Sequence, residues 1–217
     1  MNIRDKKHLI FDFDGTIVDS LGLLVKIYNQ VCHNYSCLLV DINDKEELRK
    51  LKSQEILRRY KISFFKIPFL LIKVKKEFKR RILEVKIFEG ISLVLKELKN
   101  KGFDLYILTS NSKENVEIFL KNNDLLNIFS FVYSSSNVFG KDKSIKKFLK
   151  FKNINLNECV YIGDETRDIE AMKRISLPII SASWGFNSKE ALVKLHPDKI
   201  IDKPERLLDL FSGRNNI

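Results

Sequence analysis

The chain has 217 residues, 44% of them hydrophobic and 31% charged, with a formal net charge of +11. That length and balance specify a folded chain with room for one sizeable core, or a core carrying a modest insertion, and exclude a disordered or fibrous protein. Cys32, Cys37 and Cys159 are odd in number and lack paired metal spacing, which speaks against a disulfide framework or a zinc site.

No apolar run follows a charged leader at the start of the sequence, so no secretory signal is expected and the cytoplasm is the expected compartment. The first element is a buried strand over Leu9 to Phe13, which gives way to a Gly15-Thr16 turn. Side chains alternate along a strand, so Asp12 and Asp14 are expected on the same side. Two carboxylates sharing one space repel unless a cation lies between them or one keeps its proton, and this pairing points to chemistry rather than packing.

Between Ser20 and Glu89 no strand is expected. Apolar residues recur there at helical spacing, as in Leu21, Leu24, Val25 and Tyr28, or Leu48, Leu51, Ile56 and Leu57. The segment reads as a helical insertion. Between Arg58 and Lys86 it carries eleven Lys and Arg against Glu77 and Glu84 alone. The apolar run Ile62 to Ile72 inside it is too short to span a bilayer, and Pro68 starts or breaks a helix there. Three readings are open: a helical core with a solvated basic face, a positive rim that draws anionic substrate inward, or a surface for anionic membrane or nucleic acid. No nucleic-acid module is present, and neither a nucleic-acid nor a membrane partner is expected.

From Gly90 onward short apolar runs alternate with amphipathic segments. Strands are expected at Leu105–Leu108, Phe129–Tyr133, Cys159–Ile162, Pro178–Ala182 and Lys199–Ile201. Helices are expected at Ser92–Asn100, Lys113–Asn122, Lys143–Lys152, Asp168–Ile175 and Glu190–Leu195. The alternation implies an α/β fold, a parallel sheet covered on both faces, whose ligands sit beyond the carboxyl ends of the strands. Asp12, Ser110 and Asp164 fall at such ends.

The pattern Asp12-x-Asp14-Gly15-Thr16-Ile17-x-Asp19-Ser20 resembles the first motif of the haloacid dehalogenase superfamily, most of whose members are magnesium-dependent phosphatases. Thr109-Ser110-Asn111, Gly140-Lys141 and Gly163-Asp164-x-x-x-Asp168 resemble the three later motifs in order, so the likeness covers nearly the whole chain. It implies a Rossmann-like doubly wound core over 1–18 and 90–217, with an all-helical cap over 19–89. By the same resemblance Asp12 is the nucleophile that becomes an aspartyl phosphate, and Asp14 protonates the leaving oxygen and later takes a proton from water. Dehalogenases and phosphonatases of the superfamily lack an acid at the second position, so Asp14 favours phosphate esters.

The likeness further implies magnesium held by Asp12, the backbone carbonyl of Asp14, and Asp164, with Asp168 acting through water or positioning the loop. Ser110 holds a phosphoryl oxygen, with Asn111, Gly15 and Thr16 lining the substrate position. The third motif departs from the family form, since both prolines of Gly-Lys-Pro-x-Pro are missing from Phe139-Gly140-Lys141-Asp142-Lys143. Lys141 matches best as the phosphate-binding lysine, and Lys143 stays open. Trp184-Gly185-Phe186 resembles a turn of the phosphoglycolate phosphatase-like members, and serves equally well as a core Trp at a tight Gly turn. The expected function is hydrolysis of a small phosphorylated metabolite; the competing readings are a phosphomutase of the same superfamily and a non-catalytic protein that binds through its basic cap.

Overall fold

The structure is a computed structural model that describes residues 3–135 and 140–212. Strand β1 (His8–Phe11) is followed by the short β2 (Val18–Asp19), then by α1 (Leu21–Cys32), α2 (Lys45–Lys50), α3 (Ser53–Arg59) and α4 (Ile67–Arg80). After β3 (Lys86–Ile87) come α5 (Ile91–Asn100), β4 (Asp104–Thr109), α6 (Lys113–Asn122), β5 (Phe129–Ser134) and α7 (Lys141–Lys152). The chain continues through β6 (Cys159–Gly163), α8 (Thr166–Arg174), β7 (Ile179–Ala182), α9 (Lys189–Val193), β8 (Lys199–Ile201) and α10 (Arg206–Leu210).

Six strands form one sheet in the order β5-β4-β1-β6-β7-β8, and every pairing in it is parallel. Such a sheet needs both faces covered, and the alternation of side chains supplies two apolar faces. Leu9 and Phe11 join Leu105, Ile107, Val160 and Ile162 in one cluster, while Ile10 joins Tyr106, Leu108 and Tyr161 in the other. β1 pairs with β4 on one side and β6 on the other, so the carboxyl ends of all three open onto the same edge.

Two expectations are revised. β1 ends at Phe11, before the acid pair, so the turn rather than the pleat places Asp12 and Asp14. The stretch from Ser20 to Glu89 does contain a strand: Lys86–Ile87 pairs antiparallel with Val18–Asp19, with Val18 opposite Ile87. Two residues are too few for periodicity to reveal. This ribbon brackets the helical segment at both ends.

Within that segment α1 packs on α4, and Val25, Val40, Leu48 and Tyr60 form a small core of their own. Pro68 lies in the first turn of α4, where its missing N–H costs nothing. Of the three readings of the basic, apolar segment, the helical core describes one face only, which runs on past Ile72 along α4. Leu70, Val74 and Phe78 pack inward, whereas Phe64, Phe65, Phe69 and Ile72 are 77%, 84%, 60% and 65% exposed.

Candidate active site

Asp12 follows β1 and is held by its own N–H, which donates to the Ile162 carbonyl at 2.8 Å. Its Oδ1 accepts the Phe13 N–H at 2.8 Å, and its Oδ2 accepts from Lys141 Nζ at 2.5 Å. Lys141 is the first residue of α7; the helix starts two residues earlier than its sequence suggests, and this brings the ammonium into the sheet edge. The same Nζ donates to Asp168 Oδ1 at 2.6 Å. Lys143, one of the two candidates from the sequence, is exposed on the outer face of the helix. Phe139 of that motif lies outside the described residues.

Asp164 follows β6 and is fully buried; its Oδ1 accepts from the Thr16 hydroxyl at 2.7 Å and its Oδ2 from the Phe186 N–H at 2.7 Å. Asp168, in the first turn of α8, is fully buried as well. One oxygen from each of Asp12, Asp164 and Asp168 lies within 4.8 Å of the others. Asp168 Oδ2 has no hydrogen-bond partner among the described residues. Lys141 thus bonds two of the three carboxylates, and the partly buried Arg167 guanidinium adds a second positive charge that acts on the same two. Burial, offset in part by Lys141, pushes Asp12 up to about 7, and burial with the charges of Glu165, Asp12 and Asp168 pushes Asp164 well above the ordinary carboxylate range.

The Asp14 side chain stands outside that group and accepts from Asn111 Nδ2 at 3.1 Å. Burial pushes it up to about 6, which suits a carboxyl that has to hold a proton and then release it. Ser110 and Asn111 follow β4. Thr109 is buried, and its hydroxyl accepts the Asn111 N–H at 3.0 Å, so Ser110 is the hydroxyl facing open space. Beyond it Ser112 caps α6, its side chain accepting from the Asn115 N–H at 3.3 Å.

Gly15 and Thr16 support the acids by packing. The Gly15 N–H is taken by the Val18 carbonyl at 2.9 Å, and its φ of +81° sits against Asp164 and Phe186, where a Cβ would collide. The Thr16 side chain, expected at the substrate, is fully buried and bonds to Asp164 instead. Trp184 braces the same turn: its Nε1 donates to the Thr16 carbonyl at 3.1 Å, and its ring meets Phe88 edge-on.

Asp14, Ser110, Asn111 and Arg167 line a cavity of about 230 Å³ roofed by Leu71, Val74 and Phe78 of α4 and by Phe186. Arg167 has no role in the sequence reading; it ion-pairs with Glu165 and reaches this wall from the first turn of α8. The one available signal was its place inside the Asp164–Asp168 run. Arg49 is the second such residue. Its Nε and Nη2 donate to the carbonyls of Gly185 and Ser183 at 2.9 and 2.6 Å, and its own carbonyl accepts the Ser188 N–H at 2.7 Å. Asn187 Nδ2 adds bonds to the carbonyls of Arg49 and Leu51 at 3.1 and 3.0 Å. The helical segment is therefore latched to the loop that carries Phe186.

The model of the haloacid dehalogenase-like hydrolases matches residues 9–182. A phosphoglycolate phosphatase from Synechococcus elongatus is 33% identical over 200 residues, covering 92% of this chain and 94% of its own length. A pyrophosphatase from Bacillus thuringiensis is 23% identical over 214 residues, covering 95% of this chain and 97% of its own. Among solved structures, a haloacid dehalogenase-like hydrolase from Streptococcus pneumoniae superposes with a TM-score of 0.79 at 22% identity, covering 95% of this chain and 99% of its own.

Proposed function

This chain belongs to the haloacid dehalogenase-like hydrolases, in the phosphoglycolate phosphatase-like group; it is a phosphatase, and we propose that it hydrolyses a small phosphomonoester through an aspartyl phosphate on Asp12, with magnesium. The observation that carries the reading is the convergence of Asp12, Asp164 and Asp168 on one point, with Lys141 between two of them. The donor set fits a hard divalent cation. All three donors are carboxylate oxygens, one of them has an orphaned buried oxygen, and with Glu165 beside them the four acids outnumber the two cations, Lys141 and Arg167. Asp12, Asp164 and the Asp14 carbonyl would hold the ion, with Asp168 behind them. When bound, it supplies neutralisation of the phosphoryl oxygens.

The remaining roles fall to the chain itself. The Asp12 carboxylate attacks phosphorus, and Asp14, whose burial keeps a proton available near neutral pH, gives that proton to the departing alkoxide. Asp14 then takes a proton from the water that opens the acyl phosphate, which restores both acids. Lys141 holds the Asp12 carboxylate in place and adds positive charge beside the phosphoryl oxygens, while the Ser110 hydroxyl and the amides at the start of α6 bind one of those oxygens. Residues 1–18 and 90–217 form the catalytic core in this reading, with 19–89 as a cap whose α4 closes the cavity. A small phosphorylated metabolite fits the enclosed volume. Among the described residues no helix is long and apolar enough to cross a membrane.

The test is phosphate release from phosphoglycolate, sugar phosphates, nucleotides, phosphoamino acids and pyrophosphate, with magnesium and with chelator. Release that requires magnesium and leaves no isomerised product is expected. No release from any ester, or release unchanged by chelator, defeats the reading.

A further inference from the structure

Phe64 and Phe65 are the most exposed large apolar side chains among the described residues, and they sit in the turn that leads straight into α4. Their rings meet edge-on at 6.4 Å, and Lys66 Nζ ties the turn to the Tyr35 carbonyl at 2.6 Å. Phe69 and Ile72 carry the same apolar surface onto the first turns of the helix. Residues three, four and seven apart share a helix face, so Lys73, Lys76 and Arg80 continue the stripe of Phe69 and Ile72 toward the carboxyl end. The outer face of α4 is thus apolar where the helix starts and basic where it ends. Scattered exposed apolar residues are ordinary, but four large ones side by side mark a surface that binds something.

The charge selects the occupant. Over 61–80 seven Lys and Arg stand against Glu77 alone, and Arg80 takes that carboxylate at 2.8 Å. A second copy on this face would bring two such arrays together, and like charges repel. A nucleic acid answers the lysines and can stack on a Phe, but it offers Ile72 no apolar interior, and Phe64 and Phe65 lie edge-on rather than as parallel platforms. An anionic bilayer answers both, with acyl chains just beneath its phosphates. We propose that this face docks on an anionic membrane surface, with Phe64, Phe65, Phe69 and Ile72 at the boundary of headgroups and acyl chains and Lys73, Lys76 and Arg80 at the lipid phosphates. Such a helix lies on the bilayer and needs no spanning length. The sequence points away from a membrane because the run 62–72 reads as core, and its period does not say which half stays uncovered. The opposite face of α4 roofs the catalytic cavity through Leu71, Val74 and Phe78, so docking occupies none of the site's residues.

The experiment is flotation of the full chain with vesicles of phosphatidylcholine alone and with about a third phosphatidylglycerol, at about 0.1 M and about 0.5 M salt. Wild type is expected to bind the anionic vesicles at least about tenfold more tightly than the neutral ones, and to lose about tenfold at the higher salt. Phe65→Ser with Phe69→Ser should lower binding by about tenfold or more at an unchanged Tm, and Lys73→Gln with Lys76→Gln by about fivefold. Phe65→Trp reads the depth: its emission should shift to the blue and be quenched by brominated acyl chains, while that of Trp184 in wild type is not. No binding to anionic vesicles, binding that the double Phe variant leaves unchanged, or an indole at position 65 that the brominated chains do not quench overturns the proposal. Binding to a single-stranded RNA as tight as to the vesicles, or a dimer in analytical ultracentrifugation that the double Phe variant dissociates, assigns the face to another occupant and overturns it as well. Flotation and quenching need no turnover, so failure of the phosphatase reading leaves this test standing.

Discussion

Asp12 and Asp168 share the Lys141 ammonium, and the partly buried Arg167 guanidinium acts on both of them through space. Lys141→Met leaves both buried carboxylates without the cation that bonds them directly, so a stability loss of about 3 kcal/mol in urea unfolding without magnesium is expected, together with a fall in kcat of at least about a hundredfold. Lys143→Ala removes an exposed charge and leaves both quantities nearly unchanged. Equal mild effects from the two would remove Lys141 from the site. Asp12→Asn keeps size and shape but is a poor nucleophile; phosphate release should drop by at least about a thousandfold with an unaltered circular dichroism spectrum, and ordinary turnover would end the assignment. The acids were legible in the sequence because their chemistry demands fixed spacing after a strand. The choice between Lys141 and Lys143 was not, since it depends on where α7 starts, and helix starts shift by a residue or two without a strong cap; Gly140 makes no side-chain cap.

At the level of elements, the alternation after Gly90 transmitted the sheet almost whole, because a parallel sheet forces continuous apolar strands and amphipathic crossings. The helical insertion was equally visible by its period. Which face of α4 points inward was not: Phe69 and Ile72 are as apolar as Leu70, Val74 and Phe78, and only packing against α1 decides between them. Phe65→Ser with Phe69→Ser should therefore change unfolding free energy by no more than about 0.5 kcal/mol, whereas Leu70→Ala should cost about 2 kcal/mol or more. A large loss from the exposed pair would mean that this face is covered in solution. The latch through Arg49 left no trace in the sequence, because its partners are backbone carbonyls that any residue supplies. Arg49→Ala is expected to cost about 2 kcal/mol, against less than about 0.5 kcal/mol for Arg59→Ala, whose partner Asp44 is 3.7 Å away and half exposed.

For the molecule as a whole, the acid cluster ties stability to pH and to the cation. Without metal, folded Asp12 and Asp14 hold protons up to about 7 and about 6, while in the unfolded chain both titrate near 3.8. Between those limits the native state binds more protons than the unfolded state, so the contribution of Asp12 and Asp14 falls as pH rises from about 4 to about 7. Below that window both states are protonated and no penalty exists; above it the full cost of burying the two charges is present. A divalent cation binds the ionised carboxylates, so its stabilisation has the opposite trend and grows as the protons leave. The difference in Tm between magnesium and chelator should accordingly be small at pH 5 and increase through pH 7.5. Differential scanning calorimetry at matched ionic strength measures it, which matters for a chain of net charge +11 that any added salt screens. A magnesium effect that is absent, or equal at both pH values, would mean that Asp12, Asp164 and Asp168 do not hold the ion together. Asp164→Asn offers the internal control, because with one ligand gone the pH-dependent part of the shift should disappear while nonspecific salt effects persist.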